Sequence, residues 1–217
     1  MPEFAELRER MVQRQIEARG ITDPAILDAF REVPREAFVS ADYASAAYED
    51  HPLPIEARQT ISQPYIVALM IEAAGIKPGD KVLEVGAGSG YAAAVMSRIA
   101  REVIGIERQH DLVEVARERL KRLGYDNVRI VEGDGTRGCP SEAPFDAILA
   151  AASGSHIPKA LLGELASGGR LVMPIGDPGW AQELVKVTKL PDGRMKHERL
   201  GGVRFVPLIG EEGWSER

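Results

Sequence analysis

The chain has few of the features that would place it outside the cell or in a membrane. Its 217 residues include a single cysteine, Cys139, which excludes an internal disulfide and a cysteine metal cluster. No apolar run approaches the roughly 20 residues that a membrane-spanning helix needs. The charged segment 1–19 lacks the apolar core of a signal peptide. We therefore expect a cytoplasmic protein that does not bind membranes.

Positive charge and metal-ligand patterns are also scarce. The net charge of −6 at pH 7 opposes a general phosphate-binding surface, because such surfaces need clustered lysine and arginine. No two histidines have the spacing of metal ligands, so we expect no metal site. The chain has neither an internal repeat nor a low-complexity tract, and 44% of its residues are apolar. These properties are typical of a globular protein with one sizeable core.

What the chain does contain is an alternation of strand and helix patterns. Strands are predicted near 81–86, 102–107, 127–132, 145–150 and 170–175, and helices at 4–19, 24–33, 64–74, 90–100, 110–123 and 156–166. Alternation of this length predicts an α/β fold with a parallel, doubly wound sheet and right-handed crossovers. Two further strand patterns, 182–190 and 195–208, flank a Pro-Asp-Gly turn and predict a C-terminal antiparallel hairpin. The order of the last two strands stays open.

The segment 82–91, Val-Leu-Glu-Val-Gly-Ala-Gly-Ser-Gly-Tyr, is the most informative part of the chain. It predicts a buried strand, a turn containing Gly86, Gly88 and Gly90, and the start of a helix. Glycine lets main chain approach a ligand closely, and a helix N-terminus adds unpaired N–H groups with partial positive charge. The spacing differs from the G-x-G-x-x-G of dinucleotide sites. With Glu84 inside the strand, it resembles the first motif of class I S-adenosylmethionine-dependent methyltransferases, although a plain strand–helix turn is the alternative.

Carboxylates follow the next two strands of the predicted sheet. Glu107 ends the second strand, where it can accept hydrogen bonds from both hydroxyls of a ribose; a solvated strand end, paired with Arg108, is the alternative. Its charge speaks against NADP, whose extra phosphate it would repel. Asp134, between Gly133 and Gly135, follows the third strand. In this fold that loop borders the adenine, so Asp134 either accepts from the adenine amino group or merely holds a turn.

The loop that follows the fourth strand bears on the methyl acceptor. Enzymes that methylate amino groups of bases or glutamine often carry Asn/Asp-Pro-Pro-Tyr there, and segment 150–158 has no such pattern. Cys139 precedes the strand, which is the wrong place for the nucleophile of a pyrimidine methyltransferase. His156 lies nearby and is interpreted as structural. Ser62, before the helix at 64–74, is either functional or an N-cap, and no G-x-S-x-G elbow surrounds it.

Several segments together resemble the protein-L-isoaspartate O-methyltransferase family. They are 33–39, 60–64 (Thr-Ile-Ser-Gln-Pro), 82–91, 145–152, 165–176 and 203–208 (Val-Arg-Phe-Val-Pro-Leu). The similarity runs from about Met11 to Gly210, and segment 60–64 is distinctive of this family. Departures are small: Ala87 stands where Thr or Cys is frequent, and the loop 153–155 is slightly unusual.

The resemblance implies a role for each part of the chain. Ser62 would be the active-site residue, and Thr60, Ile61 and Val206 would contact the substrate peptide. The implied cofactor is S-adenosyl-L-methionine, which becomes S-adenosyl-L-homocysteine. Its binding residues would be Glu84, Gly86, Gly88, Ser89, Gly90, Glu107, Asp134 and Gly135. We expect a single domain over 1–217, with a helical substrate-side segment at 1–79, a cofactor-binding core at 80–176 and C-terminal strands at 177–217.

The implied reaction is repair methylation of the free carboxylate of L-isoaspartyl, and D-aspartyl, residues in damaged proteins and peptides. We expect a monomer that acts on these partners and on no nucleic acid. Two alternatives stay open. One is a methyltransferase for a small carboxylic acid or a nucleic acid, and the other is a protein that binds S-adenosylmethionine without catalysis.

Overall fold

A seven-stranded sheet forms the centre of the computed structural model, which describes residues 2–216. Two short strands, β1 (Leu53–Pro54) and β2 (Thr60–Ile61), pair with each other outside it. The strands of the central sheet are β3 (Lys81–Val85), β4 (Glu102–Glu107), β5 (Val128–Glu132), β6 (Phe145–Ala150), β7 (Leu165–Ile175), β8 (Gln182–Lys189) and β9 (Met195–Val203). Their spatial order is β5-β4-β3-β6-β7-β8-β9, with parallel pairing up to β7 and antiparallel pairing beyond it. The predicted mostly parallel sheet with a C-terminal hairpin is confirmed, and β8 lies between β7 and β9.

Within residues 2–216, six α-helices surround the sheet. They are α1 (Pro2–Met11), α2 (Pro24–Glu32), α3 (Pro64–Ala74), α4 (Tyr91–Ser97), α5 (His110–Arg122) and α6 (Lys159–Gly163). The Asp23 carboxylate caps α2 by accepting the Ala25 N–H at 2.9 Å. The first predicted helix continues beyond α1 as less regular turns and ends at Gly20, whose φ of 97° is left-handed. No helix within 2–216 is long and apolar enough to cross a membrane.

The central parallel strands β3, β4 and β6 are buried on both faces, which explains their continuous apolar runs. Neighbouring residues of β3 point to opposite faces. Val82 packs into the core that contains the N-terminal helices and Phe30, whereas Leu83 packs into a second core with Phe145 and Leu161. The carboxyl ends of the strands therefore lie between two packed layers that hold them rigidly.

The largest errors in the predicted boundaries lie in the C-terminal half. The strand predicted near 170–175 already begins at Leu165, as β7, and the helix predicted at 156–166 is therefore reduced to α6. The predicted strand 195–208 ends at Val203. Beyond it, the chain leaves the sheet and crosses to the loop after β6: the Ser153 N–H donates to the Val206 carbonyl and the Leu208 N–H to the Ser153 carbonyl, both at 2.8 Å. This long-range pairing places the C-terminal segment over the carboxyl ends of the strands.

Candidate active site

A cavity of about 330 Å³ lies at the carboxyl ends of β3 and β6. The strands β4 and β6 flank β3 on opposite sides, so the cavity occupies the switch point where open α/β sheets bind ligands. Of the site residues predicted from sequence, the cavity is lined by Thr60, Ile61, Ser62, Glu84, Gly86, Gly88, Ser89, Glu107, Gly135 and Val206. Gly90 and Asp134 do not line it.

The three glycines of the turn after β3 all have left-handed backbone angles, with φ values of 81°, 52° and 86° for Gly86, Gly88 and Gly90. The Gly86 N–H donates to the Ile106 carbonyl at 2.9 Å, which ties the turn to β4. Gly86 and Gly88 border the cavity. A Cβ at Gly90 would instead lie 3.2 Å from Leu120 of α5. Gly90 therefore allows α4 and α5 to pack closely, and the structure does not bring it into the cavity as predicted.

Glu107 reaches the cavity from the end of β4 and is only 7% exposed. Its Oε2 accepts the Gly88 N–H at 3.0 Å, and its Oε1 accepts the N–H groups of Arg108 and Gln109 at 2.8 and 2.9 Å. The carboxylate thus holds the glycine turn in place. Because Oε2 has one donor and Oε1 has two, Oε2 is the oxygen with more room for a ligand hydroxyl.

Asp134 uses its carboxylate within the protein. Oδ1 accepts the Thr136 N–H and hydroxyl at 2.9 and 2.7 Å, and Oδ2 accepts the Glu211 N–H at 2.8 Å. Burial would raise the pKa of Asp134, but these bonds and the charge of Arg137 outweigh it and lower the pKa. Asp134 therefore fastens the segment near Glu211 to the loop after β5. A hydrogen bond from adenine to this side chain stays a prediction.

Ser62 does not cap α3, so the N-cap reading of this residue is wrong. Gln63 occupies the cap position and Pro64 is the first helical residue. No side chain in the described part of the chain makes a capping bond there. Proline is favoured at the first helical position, which shifts the cap one residue past Ser62. The Ser62 side chain is half-buried and faces the cavity together with Thr60 and Ile61 of β2.

Arg35 fixes the main chain at Ser62, a role that the sequence did not reveal. Its guanidinium is completely buried and donates to the carbonyls of Ala47 and Ser62, each at 2.7 Å. It also lies 4.8 Å from the centre of the Tyr91 ring at the start of α4. Burial lowers the pKa of Arg35, and Tyr91 opposes this effect. One buried cation thereby joins the segment of Ser62 to the helix that follows the glycine turn.

The turn between β1 and β2 packs against the glycine turn at Gly88. Ala57 and Arg58 have φ values of 53° and 58°, a left-handed conformation that is uncommon for residues with a side chain. The Ile55 side chain lies over Gly88, and Arg58 lines the cavity. A salt bridge of 2.9 Å from Arg119 of α5 to Glu56 holds the turn. No sequence signal marks these residues, since neither left-handed position is a glycine or asparagine.

Comparison with known proteins identifies the family. The model of the family "Protein-L-isoaspartate(D-aspartate) O-methyltransferase (PCMT)" matches residues 6–213. The chain belongs to this family. It is 54% identical over 207 residues to a protein-L-isoaspartate O-methyltransferase 2 of Pelobacter propionicus, with 95% of this chain and 92% of the relative covered. It is 52% identical over 215 residues to a protein-L-isoaspartate O-methyltransferase 1 of Syntrophobacter fumaroxidans, with 99% and 100% covered.

Solved structures of protein-L-isoaspartate O-methyltransferases share the fold. One matches with a TM-score of 0.86 and 33% identity, covering 94% of this chain and 66% of that chain. A second, from Plasmodium falciparum in complex with S-adenosyl-L-homocysteine, matches with a TM-score of 0.81 and 30% identity, covering 93% and 98%. The sheet is thus that of a class I methyltransferase, and the methyl donor of the family is S-adenosylmethionine.

The buried carboxyl of Glu84 makes the cavity fit this donor. Glu84 is 2% exposed, and its Oε2 has no hydrogen-bond partner among residues 2–216. Burial raises the pKa of Glu84 well above its usual value; the nearby charge of Glu107 adds to the rise, and the Ala93 N–H opposes it. A buried carboxyl with one oxygen that lacks a partner favours a ligand that brings positive charge or donors. S-adenosylmethionine carries both, in its sulfonium and ammonium groups.

Replacing Glu84 by glutamine is expected to stabilise the donor-free protein at neutral pH. Because the folded-state pKa of Glu84 is raised, the folded protein keeps a proton that the unfolded chain releases. The wild-type free energy of unfolding therefore falls as the pH rises from the unfolded-state pKa through the folded-state pKa. Glu84→Gln should raise the free energy of unfolding only slightly at about pH 4, which is near the unfolded-state pKa of a glutamate. This gain in stability should grow toward neutral pH.

Thermal unfolding of both proteins across this pH range measures the gain, and each 1 kcal/mol would raise Tm by about 2–4 °C. The same variant should bind S-adenosylmethionine more weakly than wild type. A Tm difference that is the same at every pH would show that Glu84 ionises normally and would contradict this account of the cavity.

Proposed function

We propose that the chain moves the methyl group of S-adenosylmethionine to the free α-carboxylate of L-isoaspartyl, and D-aspartyl, residues in damaged proteins. The observation that carries this proposal is the placement of two segments on one cavity. The glycine turn with Glu107 borders it on one side, and the family-distinctive segment of Thr60, Ile61 and Ser62 borders it on the other. A donor site and an acceptor site are therefore adjacent.

The acceptor carboxylate needs no chemical activation by the protein, only alignment with the methyl donor. An isoaspartyl residue carries a free α-carboxylate because its chain runs through the side-chain carbon, and this carboxylate is already ionised at pH 7. No general base is needed, and no histidine is among the cavity-lining residues. Bound S-adenosylmethionine supplies a methyl group made electrophilic by its sulfonium. The chain holds the carboxylate oxygen in line with the methyl–sulfur bond and excludes water.

In this proposal, Ser62 orients the acceptor carboxylate by donating one hydrogen bond. Its main chain is held by Arg35, so the hydroxyl is presented from a fixed backbone. Transfer forms an oxygen–methyl bond and breaks the methyl–sulfur bond. Without the enzyme, the main-chain nitrogen of the next residue attacks the ester carbonyl, expels methanol and closes a succinimide. Water then reopens the ring partly to normal aspartate, which repairs the damaged residue.

The partners that we propose are damaged proteins and peptides, bound by a monomer in the cytoplasm. The charge of −6 and the loop after β6, which lacks a Pro-Pro-aromatic pattern, both support a protein acceptor over a nucleic acid. A small carboxylic acid would not need the segment 60–64, which lies beside the donor cavity.

An acceptor panel tests the proposal. Labelled S-adenosylmethionine is offered with an isoaspartyl peptide, with free small carboxylic acids and with single-stranded oligonucleotides. We expect label in the peptide alone, released as methanol by mild base because a carboxyl methyl ester is labile. Label in the small acids or the oligonucleotides, or peptide label that resists base, would contradict the proposed reaction.

A further inference from the structure

A second cavity adjoins the first one on the acceptor side. It has a volume of about 810 Å³ and shares four lining residues with the donor cavity: Thr60, Ser62, Ala151 and Val206. Its outer wall comes from the segment 179–182, which leads into β8, and from the segment 202–206, which spans the end of β9 and the residues that follow it. The two cavities therefore meet at the serine that faces the reacting carboxylate.

Trp180 forms part of this outer wall and is 75% exposed. A single exposed apolar side chain is ordinary on a protein surface. Trp180 differs because it borders a cavity that continues into the donor site. An indole that becomes covered by a ligand buries a large apolar area and is a common anchor of protein–peptide contacts. Trp180 is thus placed to bind an apolar side chain of a ligand in the second cavity.

Arg204 gives the same wall a positive charge. Its side chain is exposed and lines the second cavity. Among the salt bridges within residues 2–216, none involves Arg204, whereas Arg108, Arg119 and Arg137 each have a carboxylate partner. An unpaired guanidinium at the rim of a cavity favours a ligand carrying a carboxylate.

The shape of the acceptor identifies the occupant of the second cavity. An isoaspartyl residue is part of a polypeptide, so the chain must leave the reacting position in both directions. An extended chain covers about 3.3 Å per residue, and the second cavity begins at Ser62 itself. We propose that it holds the acceptor residues that flank the isoaspartate, with Trp180 binding an apolar flanking side chain and Arg204 favouring an acidic one. This inference rests on the proposed function.

Kinetics with paired peptides test the role of Trp180. Two isoaspartyl peptides differ only in having leucine or glycine at the positions flanking the isoaspartate. For Trp180→Ala we expect the KM of the leucine peptide to rise about 10-fold, as for loss of an aromatic anchor, with a much smaller rise for the glycine peptide. Tyr43→Ala is the matched control, because Tyr43 is 39% exposed and lines neither cavity.

A second pair of peptides, with glutamate or glutamine flanking the isoaspartate, tests Arg204. Wild type should have the lower KM for the glutamate peptide, and Arg204→Gln should remove this preference. Arg199→Gln is the control: it removes one positive charge from β9 outside both cavities. This variant should retain the preference for the glutamate peptide. Added salt should weaken the wild-type preference, because the ion pair between Arg204 and the peptide glutamate would be exposed to solvent.

The outcomes separate the two proposals. If wild type methylates no isoaspartyl peptide, the proposed function itself is wrong. If wild type is active but Trp180→Ala and Arg204→Gln leave KM unchanged for every peptide, the flanking-residue site is wrong and the proposed function stands. Equal KM increases for the leucine and glycine peptides would likewise overturn side-chain recognition by Trp180.

Discussion

Glu107→Ala is expected to weaken binding of S-adenosylmethionine by about 10- to 100-fold for each ribose hydroxyl that the carboxylate holds, because a hydrogen bond to a charged acceptor contributes about 1.5–3 kcal/mol. The loss should be larger than that of the ligand bonds alone. The carboxylate also accepts the N–H groups of Gly88, Arg108 and Gln109, so its removal frees the glycine turn as well. Titration calorimetry with S-adenosylmethionine and S-adenosylhomocysteine measures the loss.

Glu132→Ala is the control for Glu107→Ala. Glu132 pairs with Glu107 in the register of β4 and β5, but it lies outside the cavity. Glu132→Ala changes the net charge by the same amount as Glu107→Ala. It should leave the dissociation constant for S-adenosylmethionine as in wild type. An unchanged dissociation constant in Glu107→Ala would show that Glu107 does not bind the methyl donor.

Ser62→Ala is expected to lower turnover by about 10- to 1000-fold, the range for removing a positioned donor at a reacting group. Donor affinity should stay as in wild type. Stability should also stay close to wild type, because Gln63, and not Ser62, occupies the cap position of α3. Ser62→Thr keeps the hydroxyl but adds a methyl group that crowds the acceptor, so its turnover should fall between those of wild type and Ser62→Ala.

Asp23→Ala is the control for Ser62→Ala, because it should lower stability and leave turnover unchanged. Asp23 caps α2 with a side-chain bond of 2.9 Å, and its loss should lower the free energy of unfolding by about 1 kcal/mol without changing turnover. Melting temperature and turnover are measured on all three variants. Full turnover in Ser62→Ala would leave main-chain N–H groups as the donors that orient the carboxylate.

The sequence predicts the elements whose signals are local. The strands β3 to β6 have apolar runs bounded by glycine and charge, and the glycine turn is encoded in consecutive residues, so both are visible without a structure. The sequence also indicates the cap position at Gln63, because Pro64 marks the first helical residue. Serine is favoured over glutamine as a capping residue, and relying on residue type alone therefore assigns the cap wrongly to Ser62.

The remainder of the site depends on contacts between distant segments. Residues 204–208 continue the alternating pattern of β9, but their bonds to Ser153 take them away from the sheet. Arg35 is a charged residue in the short segment 33–39, and only the tertiary fold places it, fully buried, against the carbonyl of Ser62. Gly90 belongs to the glycine motif, yet its function is set by Leu120 in another helix.

The most direct test of the central claim compares two peptides that differ in one linkage. One contains isoaspartate and the other contains aspartate at the same position, and methyl transfer from labelled S-adenosylmethionine is followed for each. The account predicts a kcat/KM that is larger for the isoaspartyl peptide by orders of magnitude, because only this peptide presents a free α-carboxylate on a chain that continues through its side-chain carbon. Equal methylation of the two peptides would contradict it.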